Sequence, residues 1–313
     1  MSSKTFALCS IMSLSAGMSI AEAPKVAVDI APVHSLVARV MEGVGTPNLI
    51  IPAGASPHEY NLRPSEAASL QNADVVFWVS ASLTPWMKNA IETLAEDAVV
   101  TELFEVEGTL KLPFRQGVLF EEHDDHEGHD DHEAHDDHEG HNHDGDDPHA
   151  WLSPDNAAVW LNAIAQTLSK VDPDNASQYY LNAAAGQKEL RELSTKINGI
   201  LAPFEGRNFI VFHDAFQYFE KAFDFYAAGA ISLSDARDPS PARIAKIQNR
   251  INEQNISCIL SEPQFNPNIV AAVASGSDVK MGILDPLGVG LELGETLYFQ
   301  TLHNLAKALS DCL

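Results

Sequence analysis

Residues 174–201 read DNASQYYLNAAAGQKELRELSTKINGIL. The stretch has no proline, and apolar or small residues recur at Tyr179, Ala183, Gly186, Leu190, Leu193, Ile197 and Ile200, in steps of 4, 3, 4, 3, 4 and 3. That spacing draws one face of an α-helix. Twenty-eight residues at ~1.5 Å each reach ~42 Å, far beyond an average domain helix. Lying mid-chain, the segment reads as a rigid strut between two lobes.

On both sides of the strut, strands and helices alternate. Upstream, residues 26–31, 49–53 and 75–80 are apolar runs with β-branched residues that end at turn residues. Helical stretches at 64–72 and 85–95 follow them. Ser153 caps another helix, with Pro154 at its first position and Ala157, Trp160, Leu161, Ile164, Ala165 and Leu168 on one face. Downstream, strands at 209–212, 225–231, 256–260 and 279–284 alternate with helices at 215–223, 241–254, 267–274 and 295–310. Repeated βα alternation in each half predicts an α/β fold of two lobes, each a parallel β-sheet flanked by helices, joined by one long rigid helix. A length of 313 residues suits two such units. The expected boundaries are 24–173 for the N-terminal lobe, 174–203 for the linking helix and 204–313 for the C-terminal lobe.

Residues 1–23 read as a secretory signal: Lys4, a mostly apolar run over 6–20, then Ala21-Glu22-Ala23 as a small-residue cleavage site. No later apolar run reaches the ~18 residues of a membrane span. The signal leaves Cys258 and Cys312, an even count that in an exported chain favours a disulfide over two buried thiols.

The formal charge of −25 is unevenly spread. Residues 121–147 hold fourteen acidic side chains, no Lys or Arg, and eight of the 13 histidines. This balance excludes nucleic acid and anionic membranes as partners and points to metal cations. Four residues stand out by position. His58 follows the second strand, His213 ends the first strand of the second half, and Asp285 ends the last strand. Open α/β sheets collect ligands at such strand ends. His149 follows the acidic stretch, just before the Ser153 cap. Three neutral imidazoles with a carboxylate or water suit Zn²⁺. Trp151 reads as apolar packing beside them, and His34 and His303 as surface positions.

Five segments carry a resemblance: 54–65 (GASPHEYNLRPS), 148–154 (PHAWLSP), 211–216 (VFHDAF), 261–265 (SEPQF) and 284–288 (LDPLG). With them the chain resembles the periplasmic solute-binding components of ABC zinc importers, the ZnuA type. The resemblance runs across nearly the whole mature chain, with an acidic His-rich insert where zinc members have one. It implies two lobes joined by a long helix, Zn²⁺ held in the cleft by His58, His149 and His213, a Cys258–Cys312 pair, and delivery to an inner-membrane ABC permease by a monomeric periplasmic protein that is not an enzyme. Some zinc members have a glutamate just before the first ligand histidine; here Pro57 stands there, leaving Asp285, which we expect, or a water as the fourth ligand. Manganese members resemble the pattern but have a glutamate where His213 stands, and nitrogen there favours Zn²⁺ over harder ions.

The insert repeats a hexad at 123–128, 129–134 and 135–140. With no apolar face it is expected to stay disordered. Its histidines, His123, His126, His129, His132, His135, His138, His141 and His143, are expected to form weak secondary Zn²⁺ sites that raise local cation concentration. Two other classes compete with transport. A zinc hydrolase would need a placed general base, and no HExxH helix is present. A zinc buffer would depend mainly on the insert.

Overall fold

The computed structural model describes residues 22–115, 120, 145–232 and 239–313. Most of the signal segment and all eight insert histidines lie outside these residues.

The N-terminal half runs β1 (Val26–Val28), α1 (Ala31–Val40), β2 (Asn48–Leu49), α2 (Pro64–Gln71), β3 (Val75–Trp78), α3 (Pro85–Leu94), β4 (Val99–Glu102) and α4 (Pro154–Val171). Then come α5 (Ala176–Leu201) and the second half: β5 (Phe209–His213), α6 (Gln217–Phe223), β6 (Gly229–Ser232), α7 (Pro241–Glu253), β7 (Cys258–Ser261), α8 (Pro267–Ala274), β8 (Lys280–Ile283) and α9 (Leu297–Cys312). The strands form two four-stranded parallel sheets, β2-β1-β3-β4 and β6-β5-β7-β8. The order is the same in each: the first strand of the half is central, flanked by the second and third. The expected two-lobe α/β fold is present.

The strut is α5, 26 residues long. It begins two residues later than the periodicity suggests because Pro173–Asn175 form a 3₁₀ turn first; helix ends commonly shift by this much. Its buried face, which includes Tyr179, Ala183, Gly186, Leu190 and Ile197, packs mainly on α4 and also on α1 and α9. A Cβ on Gly186 would come within 2.9 Å of Leu161 on α4, so glycine lets the two helices approach. Arg39 on α1 reaches Glu189 on α5 with two nitrogens, at 3.2 and 2.8 Å.

The halves are tied together twice more. Helix α9 starts against the N-terminal half, where the Tyr298 backbone N–H donates to Ser35 Oγ at 2.9 Å and its hydroxyl donates to the Trp151 carbonyl at 2.6 Å. It ends on the second sheet, where Cys312 is disulfide-bonded to Cys258 on β7, with a Cα–Cα distance of 5.8 Å. The second tie is a strap at the base of the acidic insert. Pro113 pairs with Asp146 in an antiparallel bridge. Tyr218 on α6 takes the Leu112 N–H at 2.9 Å and donates to the Asp147 carbonyl at 2.8 Å. Arg115 is ion-paired with Asp214, just past β5, and with Glu220 on α6. The acidic stretch expected over 121–147 therefore ends in ordered chain at residues 145–147, and Asp147 is buried.

His34 is not at the surface. It is 4% exposed on α1, with Nε2 3.0 Å from the Pro47 carbonyl oxygen. All ten residues of α1 are buried because α5 and α9 cover it. His303 is half-buried.

Candidate metal centre

Each histidine of the expected set is placed by a local device. His58 lies in the loop from β2 to α2. That loop turns at Gly54 (φ +89°), the His58 N–H meets Ser56 Oγ at 3.3 Å, and Trp86 Nε1 on α3 donates to the Pro57 carbonyl at 2.9 Å. His149 precedes a 3₁₀ turn, Ala150–Leu152, which leads into the Ser153 cap of α4. Ser153 Oγ accepts the Asn156 N–H at 3.2 Å, and the Asn156 amide donates to the Ala150 carbonyl at 3.1 Å. His213 is the last residue of β5. Period-two alternation puts it on the same face as Phe209 and Val211, toward the first half, while Ile210 and Phe212 pack under the outer helices.

The three imidazoles converge. His58 Nε2 lies 3.3 Å from His149 Nε2, and His213 Nε2 lies 3.4 Å from the same atom. All three ligand atoms lie within 4.8 Å of one another. A tetrahedral ion with nitrogen at ~2.0–2.1 Å has ligand–ligand edges of ~3.3–3.4 Å, so the His149 spacings suit that geometry. The cavity they line, with Pro57, Trp151 and Gln264, holds about 10 Å³, room for one ion- or water-sized occupant.

Buried carboxylates stand behind two of the rings. His149 Nδ1 is 2.6 Å from Asp147 Oδ1, which also accepts the His149 backbone N–H at 3.0 Å. His213 Nδ1 is 2.5 Å from Glu262 Oε1, one residue past β7. An Nδ1–H donated to a carboxylate fixes the tautomer whose Nε2 lone pair faces the centre, and raises its basicity. Burial pushes the Asp147 carboxyl up to about 7, opposed by the His149 N–H and by the charges of Arg115 and His213. Burial also raises Asp214, against the pull of Arg115.

Asp285, expected as the fourth ligand, is not brought into this group. Its Oδ1 accepts the N–H groups of Leu287 and Gly288, both at 3.0 Å, and its Oδ2 accepts that of Val289 at 2.5 Å. Burial raises its pKa while those N–H bonds lower it. The carboxylate caps the turn that carries Pro286 and Leu287 into the cavity wall. Gly288 (φ +75°) completes that turn, and a Cβ there would come within 2.6 Å of Thr301. Trp151 is buried as expected. Its ring centroid is 5.3 Å from that of His149, and Nε1 donates to the Pro286 carbonyl at 3.0 Å, joining the two halves across the cavity. Glu59 is exposed.

Sequence reasoning missed Asp147 and Glu262 as supports. The first looks like the last of fourteen acids in the insert. The second could have been found by its place, at the C-terminal end of the strand beside His213.

Comparison with known proteins decides the family. Residues 26–312 match the family model described as "ZnuA: Zinc-uptake complex component A periplasmic". The chain belongs to the ZnuA family. It is 41% identical over 314 residues to the "High-affinity zinc uptake system protein ZnuA" of Brucella abortus (strain 2308), covering 95% of this chain and 94% of that protein. It is 42% identical over 306 residues to the protein of that name from Paracoccus denitrificans (strain Pd 1222), covering 94% and 93%. A solved structure described as "Crystal structure of ZnuA" superposes with a TM-score of 0.75 at 22% identity, covering 93% of this chain and 99% of that one, which supports the fold alone. ZnuA-family membership makes this chain a periplasmic zinc-binding component of an uptake system rather than an enzyme. No helix among the described residues is long and apolar enough to cross a membrane.

Proposed function

We propose that His58, His149 and His213 together hold one Zn²⁺ as cargo, with water in the fourth position, between lobes formed by residues 24–173 and 204–313 on the strut 174–203. The ion is carried to an ABC permease. The observation that supports this most is the convergence of three Nε2 atoms, two spacings of which match the edges of a zinc tetrahedron. The donor chemistry agrees, since three imidazoles suit Zn²⁺, whereas Mg²⁺ and Ca²⁺ take oxygen. Asp147 and Glu262 supply the carboxylates that aim two of the rings.

Calorimetric titration of the His58→Ala/His149→Ala/His213→Ala variant tests the assignment. The tight single-site zinc isotherm is expected to vanish. Retained tight one-to-one binding would overturn the ligand set. In the unaltered protein, affinity should fall as pH drops through the histidine range near ~6.5, because only neutral imidazole ligates.

A further inference from the structure

Gln264 sits two residues past Glu262, at the C-terminal edge of the second sheet, and lines the 10 Å³ cavity with the three histidines. Its amide has a defined orientation. Nε2 donates to Glu262 Oε2 at 3.2 Å, while the other oxygen of that carboxylate holds His213 Nδ1. With the nitrogen committed, the amide oxygen Oε1 is buried and has no hydrogen-bond partner among the described residues. A buried carbonyl oxygen normally has one. Its placement calls for a donor inside the cavity, and the histidines turn acceptor nitrogens toward that space.

Three imidazoles leave one corner of a tetrahedron open, and both oxygens of Asp285 already accept backbone N–H groups. The 10 Å³ between the rings takes the ion, and a water can fill that corner on the cavity's open side, next to Gln264. Once on Zn²⁺ it is strongly polarised and becomes a better donor than bulk water. We infer that Gln264 positions the cargo's water ligand: Oε1 accepts a hydrogen bond from the water at the open corner, so Glu262 orients both a ligand histidine and the group that holds the fourth ligand. This inference rests on the three-histidine reading above. It makes Gln264 a specificity residue, because an ion needing several oxygens finds one water held by one amide.

Gln264→Met keeps the side-chain length and removes both the Oε1 acceptor and the Nε2 donor to Glu262. Zinc affinity measured by competition with a chelator is expected to fall about tenfold. The visible absorption bands of the cobalt(II)-loaded protein are expected to move, a change that loss of packing alone would not cause. The metal-free melting temperature is expected to fall slightly, because the Nε2 bond to Glu262 is lost with the side chain, so the cobalt bands and not the melting temperature read the loss of Oε1. Wild-type affinity together with wild-type cobalt bands would overturn the role of Gln264. The triple histidine variant, run in parallel, separates the two claims: its loss of binding beside a wild-type-like Gln264→Met protein discards Gln264 alone, whereas its retention of binding discards the site. A zinc-bound crystal structure decides independently of any variant. A water between the ion and Gln264 Oε1 supports the inference, and the Asp285 carboxylate in the fourth position overturns it.

Discussion

The two sheets have the same strand order, yet they use the same topological point differently. In the first sheet the residue after central strand β1 is Asp29. It is fully buried, and it accepts the Ile30 N–H and, across the sheet, the N–H of Val79 just past β3, both at 2.7 Å. In the second sheet the C-terminal end of the central strand β5 is His213, and its cross-sheet partner is Glu262, just past β7. One lobe spends its crevice position on tying two strand ends together, and the other spends it on a ligand with a carboxylate behind it. The first lobe instead offers its ligand from a loop, where His58 is held through Trp86 and Ser56. The end of a central strand thus carries chemistry only where an imidazole stands there with an oriented carboxylate behind it.

The largest expected effect is at the strap that holds the second lobe's strand end in place. Arg115 lies between Asp214 and Glu220 and is mostly buried. Arg115→Met leaves two buried carboxylates without their cation and should cost about 3–5 kcal/mol, read as a lower denaturation midpoint in urea. The strap joins His213's neighbour to the chain leading into Asp147, so zinc affinity should fall as well. Stability within about 0.5 kcal/mol of the parent would mean that the strap is not what separates the two lobes' behaviour.

Next in size is the carboxylate behind the ring. Glu262→Gln should weaken zinc about 10–100-fold, as removal of such supports does, with stoichiometry kept. Trp86→Phe removes one hydrogen bond behind the His58 loop, about 1 kcal/mol or roughly fivefold. Competition titrations of the two variants sharpen the comparison directly. If Trp86→Phe costs more than Glu262→Gln, the loop-borne histidine is the better-organised ligand and the contrast between the lobes is reversed.

What was legible in the sequence follows the same physics. Helix α5 could be read because its buried face repeats with helical spacing and no proline interrupts it. Helix α1 could not: all ten of its positions are buried, so it has no polar face to set a period, and its start merges with the apolar run of β1. Strand β4 escaped for the opposite reason, since Val99 and Val100 are exposed at a sheet edge. The three histidines were legible from their places at strand ends and before a cap. Their supports were not. Asp147 is hidden by composition among the other acids of the insert, and becomes a buried partner only because Tyr218 and the Pro113–Asp146 bridge fold the end of the insert onto α6. Asp285 reads as a ligand because it ends a strand, and in the fold its two oxygens accept three backbone N–H groups, which the sequence does not announce.

The smallest effect isolates the structural half of the comparison. Burial holds Asp29 at about 7, against the pull of the Val79 and Ile30 N–H groups, while in the unfolded chain it titrates near ~3.9. The folded state therefore keeps its proton at a pH where the unfolded state has lost it. The stability this contributes is full below pH ~4, shrinks as pH rises toward about 7, and is gone above that. Glu220, also raised to about 7 by burial, adds the same sign from the second lobe. Metal-free protein should thus melt at a lower temperature at pH 8 than at pH 5, while zinc affinity moves the other way. Asp29→Asn cannot titrate, so its melting temperature should change less between those pH values, even if its absolute stability drops because one amide oxygen replaces two carboxylate oxygens. Zinc affinity should stay within about twofold, because Asp29 contacts none of the three histidines. Parallel pH profiles for the variant and its parent would remove Asp29 as the source of the slope, and a large affinity loss would show that the first sheet's strand end is part of the site after all.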